Sequence, residues 1–240
     1  QITADYVGHT QVDKAVIAVP AKFDARQRQA TAEAYRRAGL KVTRVLEEPT
    51  AAALAYGLHR KPDVHHIMVY DFGGGTLDVS VLFVNDGSVE VIASEGDPHL
   101  GGSDFDQCLA HHLQSQLGDH RLVDLEGYHQ SEKCNLAVPV CTHHMLYPLA
   151  EALKRRLSDV PSSSVTCLAP TGQAVRGADI CAPTMWEEVS VDVSKAQFES
   201  ICTSLFERSL KPVDYVLEEA GLEKESIDEV VMVGGTTRIP

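Results

Sequence analysis

The chain has 240 residues, 44% hydrophobic and 23% charged, which is enough to bury a core as one large domain or two modest lobes and is not the composition of a disordered chain. Its 34 acidic and 21 basic residues leave a formal net charge of -13, which argues against a nucleic-acid partner but not against a single nucleotide held by backbone amides and magnesium. No run approaches the ~20 apolar residues of a membrane helix, and the six cysteines, without CxxC pairs, read as free thiols in a reducing, cytoplasmic setting.

Ala15 to Pro20 (AVIAVP) is a short β-branched run stopped by proline and predicts a buried strand. Asp24 to Ala38 is rich in helix formers, and Gly39 supplies the left-handed stop. Val42 to Leu46 predicts a second strand, and Pro49 suits the first turn of an Ala-rich helix ending near Gly57. Strand then helix, twice over, indicates an α/β layered architecture. Ile67 to Tyr70, Leu77 to Val84 and Val89 to Ala93, separated by GGG and NDG turns, predict a β-meander. Gly101 and Gly102 open a helix through Asp104 to Leu117, and 118–147 is His-rich and carries no clear pattern. A helix follows from Leu146 to Leu157, then a strand-and-loop region from Val165 to Val193. Ser194 caps a helix from Lys195 toward Glu219 that Pro212 is expected to bend or break, and Glu229 to Val233 is a buried strand feeding Gly234-Gly235. The chain opens without Met and closes at Arg238-Ile239-Pro240. Both ends read as cut, so a targeting signal for the endoplasmic reticulum stays open as an alternative.

The strongest chemical signal is VYDFGGGTLDVS, residues 69–80. Three glycines after an apolar strand let backbone N–H groups approach a phosphate where a Cβ would intrude. Thr76 adds a hydroxyl, and Asp71 adds a carboxylate for magnesium or its water shell. An ordinary hairpin turn needs only one or two glycines and has no use for an acid on each side. The second signal, VVMVGGTTRIP, again puts paired glycines after a strand. Together they suggest a nucleotide held between two strand-turn elements. The pattern is neither a P-loop, since GxxxxGK[ST] is absent, nor a dinucleotide fingerprint, since no GxGxxG opens a helix.

These motifs, with AVIAVPAKFDARQRQATAEAYRRAGLKVTRVLEEPTAAALAYGL and HLGGSDFD, resemble the nucleotide-binding domain of the seventy-kilodalton heat-shock chaperones, in the same order and at similar spacing. The resemblance is dense over residues 7–117 and 189–240 and thin over 118–188. It implies an actin-like, ribonuclease H-like ATPase fold: a mixed sheet flanked by helices plus a smaller α+β subdomain. On that basis 1–14 would end a first lobe, 15–117 with 189–240 would form the second-lobe core, and 118–188 would be a divergent subdomain bearing an adenosine-side helix. It further implies ATP or ADP as ligand with magnesium held through water near Asp71 rather than by direct ligation. Gly73, Gly74, Gly75 and Thr76 would contact the phosphates, and Glu48 would orient the attacking water. Read alone, Glu48 is a carboxylate stabilised at a helix start. Gly102 and Asp104 match a second phosphate-side turn, although Ser103 stands where the family usually has glutamate. Glu151, Lys154, Arg155 and Ser158 match the adenosine-holding helix, with Arg155 able to stack on adenine; on spacing alone they form a solvated amphipathic face. Gly234, Gly235 and Arg238 complete the adenosine side. Pro20, Arg28 and Arg44 match an allosteric relay to a substrate-binding half, with Lys22 in place of the usual aromatic. Without the resemblance, Pro20 is a strand stop and both arginines are surface residues.

The implied activity is ATP hydrolysis that gates binding of unfolded polypeptides, with J-domain co-chaperones and nucleotide-exchange factors as partners. The family's first phosphate loop and its γ-phosphate lysine are not among these residues, so the chain alone is expected to bind nucleotide weakly. A degenerate, non-hydrolysing regulator that uses the fold as an interaction platform is the alternative from another class, and a sugar or glycerol kinase of the same superfold is a third. Cys134, Cys141, His143 and His144 fit no zinc spacing and read as incidental residues of an insertion loop.

Overall fold

The computed structural model describes Gly8 and residues 12–124, 136–172 and 185–239. Most of the expected first-lobe end, 1–14, lies outside them. The chain divides into two compact units, Gln1–His99 with Leu210–Gly234, and Leu100–Ser209 with Gly235–Pro240.

In the first unit, β1 (Lys14–Val19) runs parallel to β2 (Lys41–Glu47) in a two-stranded sheet. Helix α1 (Ala25–Arg37) links them, and Asp24 caps it. The Asp24 carboxylate accepts the Gln27 amide at 2.8 Å, and the Gln27 side chain accepts the Asp24 amide at 2.9 Å. A reciprocal cap of this kind contributes about 1 kcal/mol. Gly39, at φ 86°, ends the helix as expected. Helix α2 (Glu48–Ala55) starts directly at the end of β2, with Pro49 in its first turn.

The predicted meander is present as β3 (His66–Phe72), β4 (Leu77–Asn85) and β5 (Ser88–Asp97), all antiparallel. Between β4 and β5 both Asp86 and Gly87 take positive φ, 49° and 76°, the geometry the NDG string demands. Strand β8 (Glu229–Val233) adds on the far side of β3 and parallel to it, giving the mixed order β5-β4-β3-β8. Ala53 of α2 packs with Ile67, Val69, Leu82, Val84 and Val231, so one helix covers one face of this sheet.

The second unit is built on α3 (Gly102–Leu117) and α4 (His143–Leu157). Every fourth residue of α3 from Phe105 to Leu117 is buried, as are Leu146, Ala150, Leu153 and Leu157 of α4, the spacing of two apolar helix faces. Thr142 caps α4 by accepting the Met145 amide at 3.1 Å, so this helix starts three residues before the expected Leu146. A hairpin of β6 (Ser162–Pro170) and β7 (Trp186–Ser194) resolves the strand-and-loop region. Ser194 caps the short α5 (Lys195–Ile201), as predicted, and α6 (Thr203–Ala220) follows. The expected break at Pro212 is not there: α6 runs through Pro212, and the interruption falls at Cys202, whose φ of -103° and ψ of 15° leave the helical range. Cys202 is fully buried and bonded to Cys108 of α3, which anchors the junction.

That bond corrects the free-thiol expectation. Cys108–Cys202 and Cys141–Cys167 are disulfides, 94 and 26 residues apart in sequence, with Cα atoms 6.2 and 5.1 Å apart, within bridging range. Partners this distant carry no spacing signature, so the sequence could not pair them. Cys134 and Cys181 lie outside the described residues; among the described residues no cysteine is free. A disulfide-bonded Cys141 has no thiolate to offer a metal.

Candidate functional site

The glycine motif is a hairpin whose strand register decides what faces what. Asp71 pairs directly with Asp78, Phe72 with Leu77, and the Gly73 amide donates to the Thr76 carbonyl at 2.9 Å. Gly74 and Gly75 form the tip. On the other side of β3, Asp71 is in register with Val233, so both glycine turns leave the same end of two adjacent strands.

The glycines at these turns serve different purposes. Gly234 sits at φ 89°, and a Cβ there would stand 2.2 Å from the Phe72 carbonyl oxygen and 3.0 Å from an Asp71 carboxylate oxygen. The fold itself requires glycine at that position. Gly74, Gly75 and Gly235 have no positive φ, and a Cβ on any of them would meet nothing within 4 Å.

Beneath the hairpin lies a small cavity lined by Pro20, Ala21, Glu48, Pro49, Val69, Asp71, Asp78, Ser80 and Ser94, with about 10 Å³ of free space, roughly the room of one water. Three carboxylates therefore share it. Glu48 comes from the first residue of α2, and Asp71 and Asp78 come from facing positions on β3 and β4. Burial pushes all three above the ordinary carboxylate range, and the repulsion of Asp78 adds to this at Asp71. At Glu48 both Asp71 and Asp78 add to it. A hydrogen bond from the Thr76 side chain and the charge of Lys22 oppose the rise at Asp78 without cancelling it. None of the ion pairs among the described residues includes Glu48, Asp71 or Asp78. Like charges facing each other across a strand pair are destabilising, so this cluster is a stored demand for positive charge.

The rim is tied by two cations. Arg28 is half-buried, not a plain surface residue. It donates to the Phe23 and Ala21 carbonyls, both at 2.9 Å, and to Glu47 at 2.7 Å. This clamps the loop after Pro20 to the residue preceding Glu48. Lys22 pairs with Glu95 at 3.1 Å, joining the same loop to β5. Arg44 lies exposed on β2, in register with Val16.

The expected adenosine-side residues fall in the second unit. Glu151 and Arg155 pair with each other on the exposed face of α4 at 2.5 Å. Ser158 caps that helix. Lys154 is used internally: its ammonium donates to the Gly102 carbonyl at 2.8 Å and pairs with buried Asp106 at 2.7 Å. Asp104 accepts the Gly101 amide at 2.7 Å and so caps α3. Gly235 and Arg238 bound a short 3-10 turn.

The sequence shows an acid on each side of the glycines but assigns Asp78 no role, and it gives no sign of Asp106 or of the Lys22–Glu95 pair. Asp78 was within reach, since a hairpin centred on Gly74-Gly75 must pair it with Asp71. Asp106 and Glu95 depend on partners more than 40 residues away, which no local pattern shows. Among the described residues no three His, Cys, Asp or Glu side chains converge to ligate a metal ion, and no helix is long and apolar enough to cross a membrane.

A family model described as "Hsp70 protein" matches residues 1–240. Two curated relatives are the chaperone protein DnaK of Prochlorococcus marinus (strain MIT 9515), 40% identical over 235 residues, and that of Cyanophora paradoxa, 42% identical over 241. Each alignment covers 98% of this chain and 34% of the relative, so the chain spans about a third of their length.

Proposed function

Because this chain belongs to the Hsp70 family, we propose that it supplies part of the nucleotide-binding machinery of a chaperone that hydrolyses ATP and thereby gates its hold on unfolded polypeptides. J-domain co-chaperones and nucleotide-exchange factors are the partners this reading implies. The observation that carries it is the pairing of two glycines whose Cβ positions are open with three carboxylates that are raised by burial and form no ion pair among the described residues. Open space at Gly74 and Gly75 suits phosphate oxygens approaching the hairpin tip. The carboxylates suit a hard cation. Magnesium held through its water shell near Asp71 is the binding mode that family membership implies.

Each residue then has a role. Asp71 and Asp78 would orient the waters of the ion, which supplies charge neutralisation to the phosphates. Glu48, whose carboxyl burial raises, would accept a hydrogen bond from the attacking water and orient it. Thr76, bonded to Asp78, fixes the hairpin tip over the cluster. Arg28 holds the Pro20 loop against Glu47, so a shift of α2 would move that loop, which supports an allosteric role for Pro20 and Arg28. Arg44 and the contacts of Glu151, Arg155, Ser158, Gly235 and Arg238 with adenosine remain proposals carried by family membership. Two disulfides favour maturation in an oxidising compartment.

The test is calorimetric titration of the full-length protein with ADP and Mg²⁺. Gly74→Val should abolish binding while leaving the thermal midpoint unchanged. Retained affinity in that variant would overturn the assignment of the hairpin tip.

A further inference from the structure

The two disulfides among the described residues differ in access. Cys141 and Cys167 are both buried, at 0% and 1% exposure. In the other pair Cys202 is buried at 0%, but Cys108 is half-buried and lines an open groove of about 540 Å³. That groove is formed by α3 and the α5–α6 junction, and its lining is mixed: Asp104, Gln107, His111 and His112 on one side, Ile201, Ser204 and Leu205 on the other. Its volume falls in the range of small-molecule sites, ~300–1,000 Å³. One cysteine of this disulfide thus stands half-buried at the wall of an open groove, and its partner is shielded.

We propose that Cys108 is a site of thiol–disulfide exchange with a low-molecular-weight peptide thiol of tripeptide size. The incoming thiolate, its proton lost to solvent, attacks Cys108 Sγ. The Cys108–Cys202 bond breaks, a mixed disulfide forms on Cys108, and Cys202 leaves as a thiolate that takes up a proton. A second molecule of the same thiol attacks the mixed disulfide, releasing Cys108 as a thiol. The protein disulfide gains two electrons and two protons, and two small thiols are oxidised to one small disulfide. Attack requires access to the sulfur; Cys202, Cys141 and Cys167 are buried, whereas Cys108 is half-buried and lines the groove. The link that opens joins α3, whose first turn contains Gly102 and Asp104, to the α5–α6 junction. Thiol status is thereby written onto the packing of these helices, independently of any nucleotide.

The probe is reduced glutathione, added to the folded full-length protein, with quenching by a maleimide and peptide mass spectrometry; circular dichroism confirms that the fold persists. Glutathione on Cys108 and maleimide on Cys202 should appear at least tenfold faster than any label on Cys141 or Cys167. Ser204→Trp, which fills the groove, should slow the reaction at Cys108 about tenfold without moving the thermal midpoint. In Cys202→Ser, oxidised glutathione should cap the freed Cys108. The proposal fails if the adduct forms first on Cys202, if both disulfides open together only as the fold is lost, if Ser204→Trp leaves the rate unchanged, or if Cys108 is already labelled in untreated protein.

Discussion

The two units treat buried charge in opposite ways. In the second, Asp106 of α3 meets the Lys154 ammonium at 2.7 Å, and the pair is only 6% and 12% exposed. Burial still raises the Asp106 carboxyl, but Lys154 opposes the rise by hydrogen bond and by charge. In the first, Glu48, Asp71 and Asp78 share one small cavity, and none forms an ion pair among the described residues. In the second unit this buried carboxylate has a counter-ion within the chain, and two disulfides link described residues of that unit. The first leaves three clustered carboxylates without an ion pair among the described residues, which is the arrangement the proposed cation-assisted nucleotide site needs. The glycines repeat the contrast at shorter range: Gly234 is demanded by the backbone that presses on it, and Gly74 by nothing in the protein.

The glycine comparison gives the largest expected effect. Gly234→Val places a branched side chain where even a Cβ is 2.2 Å from a backbone carbonyl, at φ 89°. It should cost roughly 3 kcal/mol or more, from the left-handed conformation plus the clash. Gly74→Val should change stability by less than about 0.5 kcal/mol. Urea denaturation of both variants reads the difference. Equal destabilisation would mean that Gly74 is also structural, and the ligand argument would lose its support.

The buried pair comes next. Lys154→Ala leaves Asp106 without its counter-ion in a buried position and should cost about 3 kcal/mol, measured by urea denaturation. Lys154→Ala with Asp106→Leu should recover most of that loss, since an apolar pair needs no counter-charge. If the double variant is as unstable as the single one, Lys154 matters through its bond to the Gly102 carbonyl rather than through Asp106.

The same division separates what was legible in the sequence from what was not. Strands β1, β3 and β8, the cap at Asp24 and the turn at Asp86-Gly87 follow from local periodicity and turn chemistry, so their residues suffice to identify them. The glycine hairpin was legible as a motif, and its second acid followed from register alone. Lys154 was expected at an adenosine-holding face, yet its ammonium is turned inward, because Asp106 is a partner 48 positions away that spacing cannot reveal. Pro212 looked like the break in the last long helix, but the anchored Cys202 is where the chain departs from helical geometry. Tertiary links decided each of these, and tertiary links leave no periodic trace.

The smallest effect is also the most diagnostic, because its sign is fixed. Asp71, Asp78 and Glu48 all hold their protons more tightly in the folded protein than in the unfolded chain, chiefly through burial. Between the ordinary carboxylate values and the raised ones, the folded state binds more protons, so stability falls as pH rises through that window. Above it the penalty is fully present. Asp78→Asn removes one such charge and one source of repulsion on the other two, so at pH 7 it should raise stability by about 0.5 kcal/mol, while weakening magnesium-dependent nucleotide binding. The gain should vanish in acid, where Asp78 is protonated in both states. Asp228, in the same unit, supplies the internal control. The His66 and His65 amides donate to it and hold it below its ordinary value, so its stabilisation is present at neutral pH and lost as pH falls through the depressed value. Thermal midpoints of Asp78→Asn and Asp228→Asn against pH should therefore depart from the parent in opposite directions at pH 7 and converge on it at low pH. A loss of stability in Asp78→Asn at pH 7 would mean that the cluster is satisfied within the chain, and the contrast between the two units would disappear.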